Sequence, residues 1–139
     1  MSLERTYAMI KPDAVAAGNS GKIIDLIEKN GFRIVAMKKL HMTQQQGESF
    51  YGVHKERPFF KGLVTFMTEA PIVALVMERE DAIAKWRELM GATNPANAAE
   101  GTVRKLYATS IERNAAHGSD APETAADETR FFFSASELL

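Results

Sequence analysis

Pro71-Ile72-Val73-Ala74-Leu75-Val76-Met77 is the most continuous apolar run in the chain. It opens on a proline and is rich in β-branched residues. At this length it suits a strand buried on both faces, being too short for an independent helix. The spacing predicts a central strand, around which the other elements can be placed. Upstream, Thr6-Tyr7-Ala8-Met9-Ile10 is apolar on both alternations and predicts a second buried strand. Lys11-Pro12-Asp13 ends it, because Pro12 has no ladder donor and biases Lys11 toward extended geometry. Phe32 to Met42 predicts a third strand, running out to solvent at Lys38, Lys39 and His41.

Helical periods fill the intervals. Ser20 is the expected cap of a helix whose Ile23, Leu26 and Ile27 share a face, with Asn30-Gly31 as its stop. Gly18-Asn19-Ser20-Gly21-Lys22 superficially looks like a phosphate loop. The gap between its glycines is too short, and Ile23 stands where Ser or Thr is needed, so that reading is rejected. Thr43-Gln44-Gln45-Gln46 is a capping box opening a helix toward Phe50-Tyr51. Gly52 to Arg57 breaks it, and Pro58-Phe59-Phe60 restarts a helical stretch. After the central run, Glu78 to Asp81 is expected to turn the chain. Asp81 should then cap a helix with Ile83, Trp86 and Met90 inward and Lys85, Arg87 and Glu88 outward. Gly91 to Arg113 has no sustained period; so long a connection in a compact domain tends to be functional. A short last strand is expected near Ala115 to His117. A final helix follows, with Asp120 as cap, Pro122 in the first turn and Glu123 three residues past the cap. This order predicts an α/β (α+β) chain with a ferredoxin-like βαββαβ sandwich: a four-stranded antiparallel sheet with helices packed on it. Residues 1–139 are expected to form a single domain.

Composition excludes several classes. Cysteine is absent, which removes disulfides, thiolate metal sites and cysteine nucleophiles. A net charge of −1 argues against nucleic acid as the main partner. No apolar run is long enough for a bilayer and Met1 to Arg5 has no apolar signal region, so the expectation is no membrane association and a cytoplasmic location. The three histidines, His41, His54 and His117, show no metal-ligand spacing, which disfavours a metallohydrolase. His41 and His54 are expected at the surface.

The chemistry concentrates in Asn114-Ala115-Ala116-His117-Gly118-Ser119-Asp120-Ala121-Pro122-Glu123, continuing to Asp127-Glu128. A helix starting after His117 presents free N–H groups and positive dipole near it. Glu128, about two turns along, is placed to fold back and orient the imidazole. Histidine, carboxylate and an anion-friendly backbone describe a phosphoryl-transfer nucleophile better than a core histidine. Lys11, at the carboxyl end of a buried strand, is a ligand-contact position. Arg87 alone reads as a solvated helix residue and Phe59 alone as packing; an exposed ring at Phe59 or Phe60 would instead be free to stack on a base.

Ile10-Lys11-Pro12-Asp13, Arg57-Pro58-Phe59-Phe60, Trp86-Arg87, Gly91-Ala92-Thr93-Asn94-Pro95, Gly101-Thr102-Val103-Arg104 and Arg113-Asn114-Ala115-Ala116-His117-Gly118-Ser119-Asp120 together resemble the nucleoside diphosphate kinases, from Glu4 to about Phe133. The resemblance implies ping-pong transfer of the γ-phosphate of a nucleoside triphosphate, typically ATP, to a nucleoside diphosphate, through a phosphohistidine on His117. It implies that Glu128 holds the opposite ring nitrogen and that Ser119 bonds to Glu128. Tyr51 would support the histidine and the phosphate site. Lys11 and Asn114 would meet the ribose hydroxyl and the transferred phosphate, and Arg87, Thr93 and Arg104 the other phosphates. Phe59 and Ile111 would sandwich the base. Mg²⁺ would ride on the nucleotide and reach Asp120 through water. A base held only by stacking is poorly discriminated, so broad base specificity is expected. The family is oligomeric, and a homotetramer of the bacterial kind is preferred over a hexamer. Leu106 stands where many members have an acidic residue, and altered loop packing is expected there.

Overall fold

The computed structural model describes residues 2–139. Its strands are β1 (Leu3–Ile10), β2 (Arg33–Leu40), β3 (Ile72–Glu80) and β4 (Ala116–Gly118). Its helices are α1 (Pro12–Ala16), α2 (Ser20–Lys29), α3 (Gln44–Phe50), α4 (Phe60–Thr68), α5 (Ala82–Met90), α6 (Val103–Tyr107) and α7 (Pro122–Phe132). The strands form one antiparallel sheet in the order β2-β3-β1-β4, the ferredoxin-like arrangement, with the run from Ile72 to Met77 in a central strand.

Burial explains why β1 from Tyr7 to Ile10 and β3 from Ile72 to Met77 are apolar at every position. Ala8, Ile10, Val73, Leu75 and Met77 face a core closed by Ile23 and Ile27 of α2 and Trp86 and Met90 of α5. Tyr7, Met9, Ile72, Ala74 and Val76 face a second core closed by Phe66 and Met67 of α4 and by Phe133. A sheet covered on both faces needs both alternations apolar.

Several local expectations are corrected. β3 does not turn at Glu78; it runs to Glu80, because β1 extends outward to Leu3 and supplies a partner at Leu3↔Glu80. Asp81 precedes α5 in the left-handed region, at φ 54°, and its side chain makes no cap. The Ile83 N–H is capped instead by Glu4 Oε1 of β1, at 2.9 Å. Asn19, not Ser20, occupies the cap position of α2. α7 starts after Ala121 rather than Asp120, with the Ala121 N–H donating to Thr124 Oγ1 at 3.0 Å. The stretch from Gly91 to Arg113 contains α6 and a 3₁₀ turn at Pro95–Asn97, too short to produce a visible period. The box at Thr43 forms as expected: Gln46 N–H donates to Thr43 Oγ1 and Thr43 N–H to Gln46 Oε1. Leu106, in α6, is half exposed.

Candidate active site

His117 reaches the site from β4, whose entry is a strained reversal. Ala115 has φ 74°, and the Ala116 N–H donates to the Asn114 carbonyl at 2.8 Å. That is a γ-turn of the rare positive-φ kind, costing on the order of 1 kcal/mol for a residue with a Cβ. The end of β1 holds it in place: Lys11 N–H donates to the Ala115 carbonyl at 2.9 Å, and Ala115 N–H to Asp13 Oδ2 at 3.1 Å. Asn114 is thereby buried beside Lys11, whose ammonium donates to Asn114 Oδ1 at 2.8 Å.

The next residues are fixed from the other face. Trp86 Nε1–H donates to the His117 carbonyl at 3.2 Å. A Cβ on Gly118 would lie 2.5 Å from Trp86 Cδ1, so only glycine lets β4 approach α5 this closely. The imidazole is walled by Phe50, edge-on at 5.7 Å between centroids, and by Tyr7 at 6.0 Å. His117 Nε2 lies 2.9 Å from Glu128 Oε1, and the Ser119 hydroxyl donates to that same oxygen at 2.6 Å. Tyr51 is buried and packs edge-on against Phe50, at 4.9 Å. Its hydroxyl has no hydrogen-bond partner among the described residues, and burial, then Glu128, holds its pKa above the ordinary value.

His117 opens into a cavity of about 410 Å³ that Arg87, Thr93 and Arg104 also line. Arg104 donates Nε–H to the Asn114 carbonyl at 3.3 Å, Nη1–H to Gly91 at 3.0 Å and Nη2–H to Ala116 at 2.9 Å. These bonds tie the end of α5 to the γ-turn. A guanidinium carries five N–H groups, so two remain for a ligand. The cations oppose one another. Burial, then Arg87, lowers the Arg104 pKa. Burial, then Arg104, lowers that of Lys11 to about 8, against the raising influence of Asp13. An anion placed among them relieves both the desolvation and the repulsion.

The structure therefore gathers Arg87, Thr93, Arg104 and His117 around one cavity, with Lys11 and Asn114 behind the γ-turn and Glu128 and Ser119 behind the ring. It does not bring Phe59 and Ile111 into that lining; both stand half exposed outside it, Phe59 with its ring 5.4 Å from that of His54. Asp120 is exposed and its carboxylate accepts from Thr124 Oγ1 at 2.8 Å. Among the described residues no three His, Asp or Glu side chains converge on a point. One exposed carboxylate fits a hard cation carried in on phosphate oxygens, not an all-protein cage. Sequence reasoning gave no site role to Asp13 or Trp86. Trp86 was legible only as core, and nothing in the sequence signals that Asp13 reaches Ala115.

Known proteins similar to this chain identify its family. The family model described as nucleoside diphosphate kinase matches residues 4–138. A nucleoside diphosphate kinase of Geotalea uraniireducens is 60% identical over 137 residues, 99% of this chain and 100% of that protein. One from Bradyrhizobium diazoefficiens is 58% identical over 139 residues, covering 100% of this chain and 99% of its own. Among solved structures, the Aquifex aeolicus nucleoside diphosphate kinase superposes with a TM-score of 0.97 at 43% identity, covering 99% of this chain and 100% of that one. The halophilic enzyme of Halobacterium salinarum, in complex with CDP, gives 0.94 at 38% identity, with 99% of this chain and 92% of that one covered. Over essentially its whole length, with its histidine-bearing strand in the same fold, the chain belongs to the nucleoside diphosphate kinase family of phosphotransferases.

Proposed function

We propose that His117 carries the γ-phosphate from a nucleoside triphosphate, typically ATP, to a nucleoside diphosphate in two successive displacements. One observation carries the assignment: Nε2 of His117 is committed to Glu128 at 2.9 Å, while the same residue lines a cavity shared with two arginines. A proton held on Nε2 leaves the Nδ1 lone pair as the nucleophile. In the first half-reaction the Nδ1–P bond forms, the bond from γ-phosphorus to the bridging oxygen breaks, and the diphosphate leaves. In the second, a terminal oxygen of the acceptor diphosphate attacks phosphorus and the Nδ1–P bond breaks. The phosphorylated ring gains positive character, which the Glu128 carboxylate stabilises; Ser119 keeps that carboxylate in place.

Phosphoryl transfer depends on positioning and on neutralising spread-out charge. In this reading Lys11 and Asn114 meet the transferred phosphate and the ribose hydroxyl. Arg87, Thr93 and the two free N–H groups of Arg104 meet the other phosphates, and Tyr51 packs behind the Phe50 wall of the ring. Phe59 and Ile111 form the two sides of a base slot outside the cavity and grip any base by its faces, which gives broad specificity. The CDP complex of the Halobacterium salinarum relative supports a nucleotide as occupant. Asp120 would help hold a Mg²⁺ brought in on the nucleotide, which would supply charge neutralisation on the phosphate oxygens. We place this activity in a single domain spanning residues 1–139, in a cytoplasmic homotetramer. Among the described residues no helix is long and apolar enough to cross a membrane.

The test is direct. Incubation with γ-labelled ATP and Mg²⁺ should give an acid-labile, alkali-stable label on the protein that leaves when a different diphosphate is added. Label persisting in His117→Ala would remove His117 as the carrier.

A further inference from the structure

Resting on the base slot described above, the geometry points to Arg113 as a positioning residue: by forking onto Glu69 and lying over Phe66, it clamps the loop that carries Ile111 to the helix that carries Phe59, and so sets the width of the slot. The loop between α6 and β4 has little else to define its tip. It closes on Arg113 itself, whose carbonyl accepts from Thr109 N–H at 2.9 Å and Ser110 N–H at 3.3 Å and whose N–H donates to Ser110 Oγ at 3.0 Å. These bonds shape the loop but do not attach it to the body of the protein. Asn114 and Ala115, at the loop's carboxyl end, are pinned to Lys11, Asp13 and Arg104, whereas nearer the tip attachment comes from the guanidinium of Arg113. Its Nη2 lies 3.2 Å from Glu69 Oε1 and 3.4 Å from Oε2, its Nη1 lies 3.4 Å from Oε2, and its carbon stands 4.8 Å from the Phe66 ring centre.

Glu69 directly follows the carboxyl end of α4, and Phe59 directly precedes its amino end. A nine-residue helix is a rod about 13 Å long, so a displacement at Glu69 is transmitted to Phe59. Phe66 and Met67 root that rod in the second core. Ile111 sits two residues from the joint on the loop side. Arginine suits this joint because its planar fork engages both carboxylate oxygens and its face stacks on the ring; lysine does neither in the same way. Both partners are partly exposed, at 48% and 39% for their side chains, so the clamp adds little to global stability. Its effect is confined to where the loop stands.

The test compares Arg113→Lys and Glu69→Gln with the parent enzyme, using nucleoside triphosphates of each base and ribose 5′-triphosphate, which has no base. Each variant should raise KM for every nucleotide about fivefold, the scale of one exposed charge pair, with kcat and Tm nearly unchanged. The double variant should be no worse than either single one, because both remove one interaction. KM for ribose 5′-triphosphate should stay at the parent value. Unchanged nucleotide KM in both variants would overturn the clamp, as would an equal rise for the baseless substrate. Phe59→Ala in the parent separates the two readings. If it raises nucleotide KM while the clamp variants do not, only the clamp fails. If it has no effect, the base slot fails and the clamp with it.

Discussion

His117 Nε2 and Glu128 Oε1 lie 2.9 Å apart, although the two residues belong to different elements and the carboxylate must return from the second turn of α7. The Ser119 hydroxyl donates to the same oxygen at 2.6 Å, so one carboxylate oxygen serves both the ring and its brace. A carboxylate in this position selects the tautomer and compensates the charge that the ring gains on phosphorylation. Glu128→Gln keeps the shape and loses the charge. We expect kcat to fall about a hundredfold with KM nearly unchanged, and Ser119→Ala to fall less, as measured in steady-state transfer between two nucleotides. Equal losses in kcat and in binding would contradict this division of roles.

Gly118 and Trp86 are matched by absence of side chain. A methyl group at 118 would stand 2.5 Å from Trp86 Cδ1 and 2.7 Å from its Nε1, inside a core in which Trp86 is fully buried. Gly118→Ala should therefore lower Tm, by an overpacking cost of about 1–3 kcal/mol, and reduce kcat by displacing the neighbouring His117. Thermal unfolding and kinetics on the same preparation check both effects. An unchanged Tm would mean that β4 shifts freely relative to α5.

Lys11 loses its proton near pH 8 in the free enzyme, because burial and Arg104 disfavour its charge. The free-enzyme profile of kcat/KM should fall above about pH 8, and this limb should be absent in Lys11→Arg, since guanidinium does not titrate there. Bound phosphate restores the lysine charge, so the kcat profile should break at higher pH. For stability the sign is the reverse of a paired lysine. The folded pKa lies below the ordinary value of 10.5, the unfolded chain binds more protons between the two, and this group's contribution rises with pH from about 8 to 10.5.

Glu4 caps α5 across the sheet, its Oε1 accepting from the Ile83 N–H at 2.9 Å. Glu4→Ala should cost about 0.5–2 kcal/mol of stability in denaturant unfolding, while leaving transfer kinetics at the parent level, since α5 keeps its apolar face. A kinetic defect without a stability loss would show that the cap acts on Arg87 at the far end of that helix.

Much of this molecule is legible in local sequence. The apolar alternations of β1 and β3 specify strands buried on both faces, and a period of 3.6 specifies α2 and α5. The residues from Thr43 to Gln46 specify their own capping box, because its donors and acceptors lie within one turn. The ordered blocks carrying Lys11, Arg87, Arg104 and His117 announce the family. The tertiary structure decided what depends on groups far apart in the chain. It placed Glu4 over the start of α5 where Asp81 was expected, and it extended β3 to Glu80 because β1 offered a partner. It forced Ala115 to a positive φ by pinning its peptide groups to Lys11 and Asp13, and it occupied three N–H groups of Arg104 with backbone carbonyls. Propensity and periodicity encode interactions within a turn or along a strand. A hydrogen bond that spans a hundred residues exists only once the sheet has brought its ends together.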